Sequence, residues 1–468
     1  MTRPLPGGDR PLLILPVENQ VRELDAKLLL AAVAAERGFG VVVGSQPFIF
    51  LAMPTLPCGV FVAKSMRSVN DQTLALIRWL GHEVVAWDEE ALVRFDSPEY
   101  YPWRYSHKTF HKLSRLFCWG QNDADFFASY AGYRGAPIHV TGNPRVDLLR
   151  AELRGCFDRK VADLRRDHGR FVLLNTNFSF VNNHLDSLNL LRCDNAGRPA
   201  QLSRAGRGLS LAFGAAMAGH QRAIFDGFRQ LLPALARTFP QTKFILRPHP
   251  AENHETWQRH AAGLPNVEVI HDGNVVPWLI ACQGLLHNGC TTAVEAAVLG
   301  TPSISFQPTC AAAFDYHLPN RLSHQAFTTD AAIKLTETLI ADRLGGRVEA
   351  AKTALLAHHV AATQGPLAVD RIVEVLVNAG HLDGPAVRGT MLARSCGQLG
   401  MRARGLIHRG KMRLPGHRLN LAQHAHQFPA IDERELNARV ARFGACLGRF
   451  ADIRVREISP HVFVVAHT

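Results

Sequence analysis

The chain has 468 residues, 47% of them hydrophobic and 20% charged, with a net charge of +12; that is long enough for two or three domains with sizeable cores and has the composition of a globular protein. No apolar run approaches the roughly 18–20 residues of a membrane-spanning helix, and the polar Met1–Arg10 start lacks the apolar core of a secretory signal. Nine cysteines without a Cys-x-x-Cys pair exclude a disulfide framework and a structural zinc site, so a reducing cytoplasm is the expected setting.

Pro11–Leu15 is a continuous apolar run, as in a parallel strand covered on both faces. A helix is expected from Asn19 to Arg37, with Leu24, Leu28, Ala31, Ala32 and Ala35 on one face and Gly38 at its stop. Val41–Val43, Gly59–Val62 and His82–Trp87 read as strands, with a helix over Asp71–Leu80. Leu116–Trp119 and Ile138–Thr141 are two more, separated by a helix over Asn122–Ala131. Strands alternating with helices imply an α/β fold, a doubly wound parallel sheet whose ligands bind beyond the C-terminal strand ends. The helical, highly charged Asp147–Asp167 stretch reads as a linker.

A second α/β unit starts at Arg170. Phe171–Leu174 leads into Asn175-Thr176-Asn177; Val181–Leu211 is polar and aperiodic, a long insertion; a helix covers Gly214–Phe239. Lys243–Leu246 is a strand that ends at Arg247-Pro248-His249-Pro250. Leu285–His287 runs through Asn288-Gly289 into a small-residue helix that begins at Thr291/Thr292 and stops at Gly300, and a strand follows Pro302. Beyond Gly384 the alternation fades, with Phe443–Phe450 a helix and Ile453–Val465 a strand. The expected domains are 11–146, a linker 147–169, 170–380 and a basic extension 381–468.

The chemistry gathers at strand ends. A helix start after Gly289 offers free backbone N–H groups and a dipole suited to phosphate, with Thr291 and Thr292 in its first turn. Glu295, one turn on, is placed to accept hydrogen bonds from ribose hydroxyls. Arg247 supplies a planar fork matched to phosphate, and His249 a donor or proton acceptor. Asn175, Asn177, His287 and Asn288 should open at the same sheet edge. Each has a plainer alternative: turn chemistry for the asparagines, a satisfied interior histidine for His287. Glu89 and Glu90 end a strand of the first unit, where a general base would be expected; Glu90 is the first choice, and His107 or His249 come next. Asp123-Ala124-Asp125 matches a metal-diphosphate pattern but falls in a first helical turn, where acids are favoured by the dipole alone, so no metal is assigned. There is no P-loop, no Gly-x-Gly-x-x-Gly after the first strand and no His-Glu-x-x-His.

Leu13-Ile14-Leu15-Pro16 with Arg22-Glu23-Leu24-Asp25, Gly142-Asn143-Pro144-Arg145, Arg247-Pro248-His249-Pro250 and the His287–Glu295 segment together resemble the bacterial surface carbohydrate biosynthesis proteins. That group is similar to GT-B glycosyltransferases and, more distantly, to CDP-glycerol glycerophosphotransferases and UDP-N-acetylglucosamine 2-epimerases. The resemblance covers about residues 11–380. It implies two Rossmann-like domains facing across a cleft, with the nucleotide held mainly by the second. By position, Arg247 and His249 would lie near the diphosphate, His287, Asn288, Thr291 and Thr292 would line the helix start, Glu295 would hold the ribose, and Asn143 and Arg145 would lie on the acceptor side. Where the epimerases carry Ser-Gly-Gly, this chain has His287-Asn288-Gly289.

The resemblance therefore implies a glycosyltransferase of surface polysaccharide synthesis (capsule or lipopolysaccharide). It would need no metal or cofactor, with a nucleotide-sugar donor and a glycan or lipid-linked acceptor. The alternatives are a sugar-nucleotide-modifying enzyme such as an epimerase, a polyol-phosphate transferase, or a non-catalytic subunit of an assembly complex. From His381 to Thr468 there are fourteen Lys/Arg against six Asp/Glu, and residues 388–418 hold eight basic and no acidic residues. Interspersed Met391, Leu392, Leu399, Met401, Leu406, Ile407 and Met412 make an anionic membrane surface the expected partner of that stretch, on the inner face of the cell membrane. The stretch has no aromatic residue to stack bases, so nucleic acid is not expected.

Overall fold

The computed structural model describes residues 10–133, 135–192, 200–345, 350–383, 389–415, 417 and 419–468. The chain divides into two compact α/β units. Unit 1 comprises Met1–Glu89, Tyr105–Cys156 and Ala357–Thr468; unit 2 comprises Glu90–Arg104 and Phe157–Leu356. Each is Rossmann-like, as expected, but the division falls elsewhere. The stretch read as a helical linker is helical, at Ala151–Arg154 and Asp158–His168, but is split between the units at Cys156. The expected extension, 381–468, belongs to unit 1, and so does the end of the expected second domain from Ala357 onward.

Unit 1 holds an eight-stranded sheet. Its order is Ile453–Ser459, Val462–His467, Gly40–Ser45, Leu12–Val17, Gly59–Ala63, Glu83–Ala86, Arg115–Cys118, Ile138–Val140. The last six are parallel and follow the strands read from sequence. Leu12–Val17 is buried throughout because helices cover both sheet faces, which is why its sequence shows no alternation. The two C-terminal strands form an antiparallel hairpin, and Val462–Val465 pairs with Val41–Gly44. The single strand expected over Ile453–Val465 is thus two strands around a turn at Pro460 and His461. The longest element of this region, the Met391–Met412 helix, lies where the strand–helix alternation of the sequence fades.

Unit 2 holds a six-stranded parallel sheet ordered Val267–Val269, Lys243–Arg247, Phe171–Asn175, Gly284–His287, Ser303–Phe306, His324–Ala326. Numbered within this sheet, that order is 3-2-1-4-5-6, the arrangement of dinucleotide-binding sheets. The 28-residue Leu211–Thr238 helix packs its Met217, Ile224, Phe228, Leu231 and Leu235 face into the core. The Glu90–Arg104 segment adds Val93, Phe95, Tyr100 and Trp103 to that core, with Phe95 stacked on Tyr316 at 4.6 Å between ring centres. The region expected as an insertion is anchored by Val181, Leu190 and Leu209 and carries two two-residue strands, Leu191–Arg192 and Gln201–Leu202.

Close strand packing makes one glycine obligatory. A Cβ on Gly59 would overlap the carbonyl oxygen of its neighbour Leu12. Gly59→Ala is expected to lower unfolding free energy by about 1–3 kcal/mol. Gly219 sits inside a helix with nothing within 4 Å of its Cβ position, so Gly219→Ala should raise stability by about 0.5–1 kcal/mol. Urea unfolding of the two variants checks both signs.

Candidate functional site

Ligands of open parallel sheets bind where neighbouring strands send their connections to opposite faces. In unit 2 that point lies between Phe171–Asn175 and Gly284–His287. Parallel register sets Asn175 opposite both Arg247 and His287, so the three sequence-selected strand ends lie side by side. The Thr291–Leu299 helix starts immediately beyond. Its N-cap, Cys290, makes no side-chain cap hydrogen bond of the kind Ser, Thr, Asp or Asn would supply. Gly289 holds φ +87°, and a Cβ there would crowd Asn320 and Tyr316.

The asparagines build the approach to this helix start. Asn175 Nδ2 donates to Thr292 Oγ1 at 3.3 Å, while Asn175 Oδ1 is buried without a hydrogen-bond partner. Asn288 grips the backbone of Asn177 twice: its Oδ1 accepts from the Asn177 N–H at 2.9 Å and its Nδ2 donates to the Asn177 carbonyl at 3.1 Å. Glu295 is buried one turn into the helix and Thr291 is half-buried at its start.

Two sequence-selected residues turn out to be structural. His287 is fully buried; its Nδ1 accepts from the Gly289 N–H at 2.9 Å and its Nε2 is hydrogen-bonded to Ser323 Oγ at 2.8 Å. Burial pushes its pKa down to about 3, so the ring is neutral and braces the turn. Arg247 is also buried. Its guanidinium donates to the carbonyls of Asp272 (2.7 Å) and Gly273 (3.0 Å) and lies 4.8 Å from the Trp278 ring centre. Burial lowers its pKa to about 10. The hydrogen bonds of both fasten strand ends; for His287 this is the interior-histidine alternative, and Arg247 is the residue expected near a diphosphate.

His249 is half-buried, and its Nδ1 accepts from the Ala251 N–H at 3.2 Å. It is positioned by Glu252, a residue the sequence reading passed over. The fully buried Glu252 carboxylate accepts from the His249 N–H (3.0 Å), Thr176 Oγ1 (2.8 Å) and Trp257 Nε1 (2.9 Å), and burial raises its pKa. It ties the Asn175–Asn177 turn to the Arg247–Pro250 turn.

The corresponding point in unit 1 lies between Leu12–Val17 and Gly59–Ala63, and it is ionic. Lys27 Nζ donates to Glu23 Oε2 at 2.7 Å and to the Pro16 carbonyl at 2.6 Å, and lies 3.5 Å from Glu89 Oε1. Trp87 Nε1 donates to that Glu89 oxygen at 2.8 Å. Lys64, just past its strand, pairs with Glu18 and lies 3.6 Å from Glu23. Glu23, Lys27 and Glu89 are all buried. Burial pushes the Glu23 pKa up. At Glu89 burial works the same way, but Lys27, Arg145 and Arg22 outweigh it and hold the pKa below the usual range. Glu89 Oε2 and Asn143 Nδ2 are buried without hydrogen-bond partners. Asn143 caps the Pro144–Asp147 helix by accepting from the Arg145 N–H at 3.0 Å, and the Arg145 guanidinium lies 5.6 Å from the Trp119 ring centre.

The remaining sequence-selected groups separate. Glu90 is assigned to unit 2, where it precedes the Ala91–Val93 turn, and Glu89 to unit 1. His107 is exposed at a short helix start in unit 1. Asp123 is buried and accepts from the Trp119 N–H at 3.3 Å, whereas Asp125 is exposed and accepts from Gln121 Nε2 at 2.7 Å. Lys27 and Glu23 show in the sequence only as an i,i+4 pair, a spacing that is ordinarily found on exposed helix faces, so nothing local marks them as buried.

No family model matches the chain, and no curated protein matches it. Solved structures do. The S. aureus MnaA–UDP complex is similar at 13% identity and a TM-score of 0.48, covering 81% of this chain and 100% of that one. The Methanocaldococcus jannaschii UDP-GlcNAc 2-epimerase in complex with UDP-GlcNAc and UDP is similar at 13% identity and a TM-score of 0.48, covering 79% and 99%. The wall teichoic acid polymerase TagF is similar at 9% identity and a TM-score of 0.48, covering 79% and 88%. At these values none of them supplies a residue role or a substrate for this chain.

Arg247→Ala is expected to cost about 1.5–3 kcal/mol of stability by releasing the Asp272–Gly273 loop, measured by urea unfolding. Acidification from pH 6.5 towards 3 should destabilise the fold, because the unfolded chain takes up a proton that buried His287 refuses. His287→Gln should remove one proton from that dependence, about 1 kcal/mol per pH unit. Unfolding curves at pH 7 and pH 5 measure the difference.

Proposed function

We propose that the chain is a nucleotide-sugar-dependent enzyme of bacterial surface-glycan synthesis, transferring a sugar to a glycan acceptor. The observation that carries the reading is the coincidence in unit 2 of the sheet's switch point, a helix start with no side-chain cap, left-handed Gly289 and the unbonded Asn175 Oδ1. A diphosphate fits that N–H cluster, with the Thr291 and Thr292 hydroxyls as further donors; Asn175 Oδ1 is left to accept from a ligand hydroxyl or N–H, and Glu295 is placed for the ribose. The glycosyl class comes from the motif resemblance.

In this reading the bond between the sugar and the diphosphate breaks as the acceptor hydroxyl oxygen bonds to the sugar carbon. The hydroxyl proton passes to a carboxylate, and the negative charge that develops on the leaving nucleotide is met by the helix start, without a metal ion. Glu89 is the better base of the two sequence candidates. It is held ionised by Lys27, Arg145 and Arg22, and one of its oxygens is unbonded. One observation favours a second reading, modification of the sugar nucleotide itself: Glu23 and Glu89 share Lys27 and are driven apart in pKa, an arrangement that supplies one acid and one base.

Thr292→Val and Glu295→Ala are each expected to weaken nucleotide binding about ten- to a hundredfold in calorimetric titration with UDP, CDP and CMP. Wild-type affinity in both would remove the site. Glu89→Gln should lower turnover about 10²–10⁴-fold with nucleotide affinity retained, while Glu90→Gln stays near normal. Turnover of nucleotide sugars with and without a lipid-linked glycan acceptor separates the readings: acceptor-dependent turnover supports transfer, and acceptor-independent conversion supports modification.

A further inference from the structure

The Met391–Met412 helix has two unlike sides. Its inner side meets unit 1 through small residues. A Cβ on Gly397 would press on the backbone of Trp79 and Leu80, one on Gly400 would meet Leu76, and Gly405 borders Leu51. Met401 and Met412 are buried on the same side.

The outer side is apolar and uncovered. Leu392, Leu399 and Leu406 recur every seventh residue and so lie within about 40° of one another around the helix axis. They are 75%, 72% and 68% exposed, and Met391 and Ile407 extend the stripe. Of eleven exposed large hydrophobic residues among those described, seven fall between Met391 and Leu421; Trp79, half exposed beside Gly397, is an eighth. Single exposed leucines need no explanation, but a contiguous stripe marks an interaction surface.

Charge decides what covers it. Residues 389–415 contain no acid. Arg402, Arg409 and Arg413 are exposed and flank the leucine line on one side, with Lys411 on the other. Arg388 and Arg418, the ends of the basic stretch, lie outside the described residues. A second copy docking through this stripe would bring like charges together. Nucleic acid would satisfy the arginines and leave the leucines in water. An anionic bilayer surface satisfies both, with apolar side chains in the lipid interface and guanidinium groups at the headgroups. No helix among the described residues is long and apolar enough to cross a membrane.

We propose that the outer face of the Met391–Met412 helix, with Trp79 beside it, docks unit 1 onto an anionic lipid bilayer, the helix lying in the plane of the interface. The surface is distinct from both strand-end sites. Truncation cannot test it, because the chain beyond this helix supplies two strands of the unit 1 sheet.

The test is cosedimentation of the full chain with vesicles of phosphatidylcholine alone or with about one quarter phosphatidylglycerol. Binding is expected to the anionic vesicles only, with release at about 0.5 M salt. Arg402→Gln with Arg409→Gln should weaken it about thirtyfold, the loss of two surface cations at about 1 kcal/mol each. Leu399→Ser with Leu406→Ser should weaken it at least about tenfold, with thermal unfolding unchanged because both leucines face solvent. Equal binding to neutral vesicles overturns the proposal, as does undiminished binding by the leucine variant. So does a dimer in sedimentation velocity that the leucine variant abolishes while vesicles are not bound, or preferential binding of an oligonucleotide.

Discussion

Parallel strand pairing is the constraint from which both candidate sites follow. It forces every strand of a sheet to finish at one edge, and the order of the strands then selects the pair between which a ligand can enter. In unit 2 that pair ends at Asn175 and His287, in register. Strand ends at such an edge lose their ladder partners, so the turns beyond them must find others. Asn288 supplies two for Asn177, His287 one for Gly289, and Glu252 holds His249 and Thr176. Each of these groups is spent on the scaffold. What remains unspent is the helix start at Thr291 and one face of Asn175, and these are the groups that can turn to a ligand.

The two edges differ in kind. Unit 2 presents amide and hydroxyl groups around a helix start, which can hold an anion without a buried charge of their own. Unit 1 buries Glu23, Lys27 and Glu89 together. Desolvating three ions costs several kcal/mol apiece, and apolar replacements are often as stable or more so, so fold stability does not account for the cluster. Its physical effect is on protonation: two carboxylates around one lysine are pushed to opposite sides of their usual pKa. Binding and proton transfer are thus the chemistries that the respective edges suit.

Most of the strand and helix order was legible because buried parallel strands leave continuous apolar runs, as at Leu12–Val17 and Phe171–Asn175, punctuated by Gly and Pro. Which residues lie at the strand ends could also be read. Where their side chains turn could not. Arg247 and His287 carry the right chemistry for phosphate, yet the loop carbonyls at Asp272 and Gly273 and the hydroxyl of Ser323 claim them. Those partners lie 25, 26 and 36 residues away in the chain, beyond any local pattern. Glu89 and Glu90 show the same limit. Alternation places them on opposite faces, but only the tertiary path assigns one to each unit.

The Met391–Met412 helix was not legible for a related reason. Gly397, Gly400, Gly405 and Gly410 argue against a helix by intrinsic propensity, but three of them sit where Trp79, Leu76 and Leu51 come close to the helix, and packing outweighs the entropic cost there. Downstream, the hairpin closes the Gly40–Ser45 side of the sheet, and its outermost strand turns Arg454 and Arg456 to solvent, which discourages further strand pairing. The segment between residues 383 and 453 is therefore held at both ends: by the helix at Ala368–Asn378 before it and by two sheet strands after it. A basic, leucine-bearing tail free at one end would bury its leucines wherever it could reach. Fixed at both ends and seated through its glycines, the Met391–Met412 helix keeps its leucines outward, so their exposure is a consequence of the fold and not of a loose terminus.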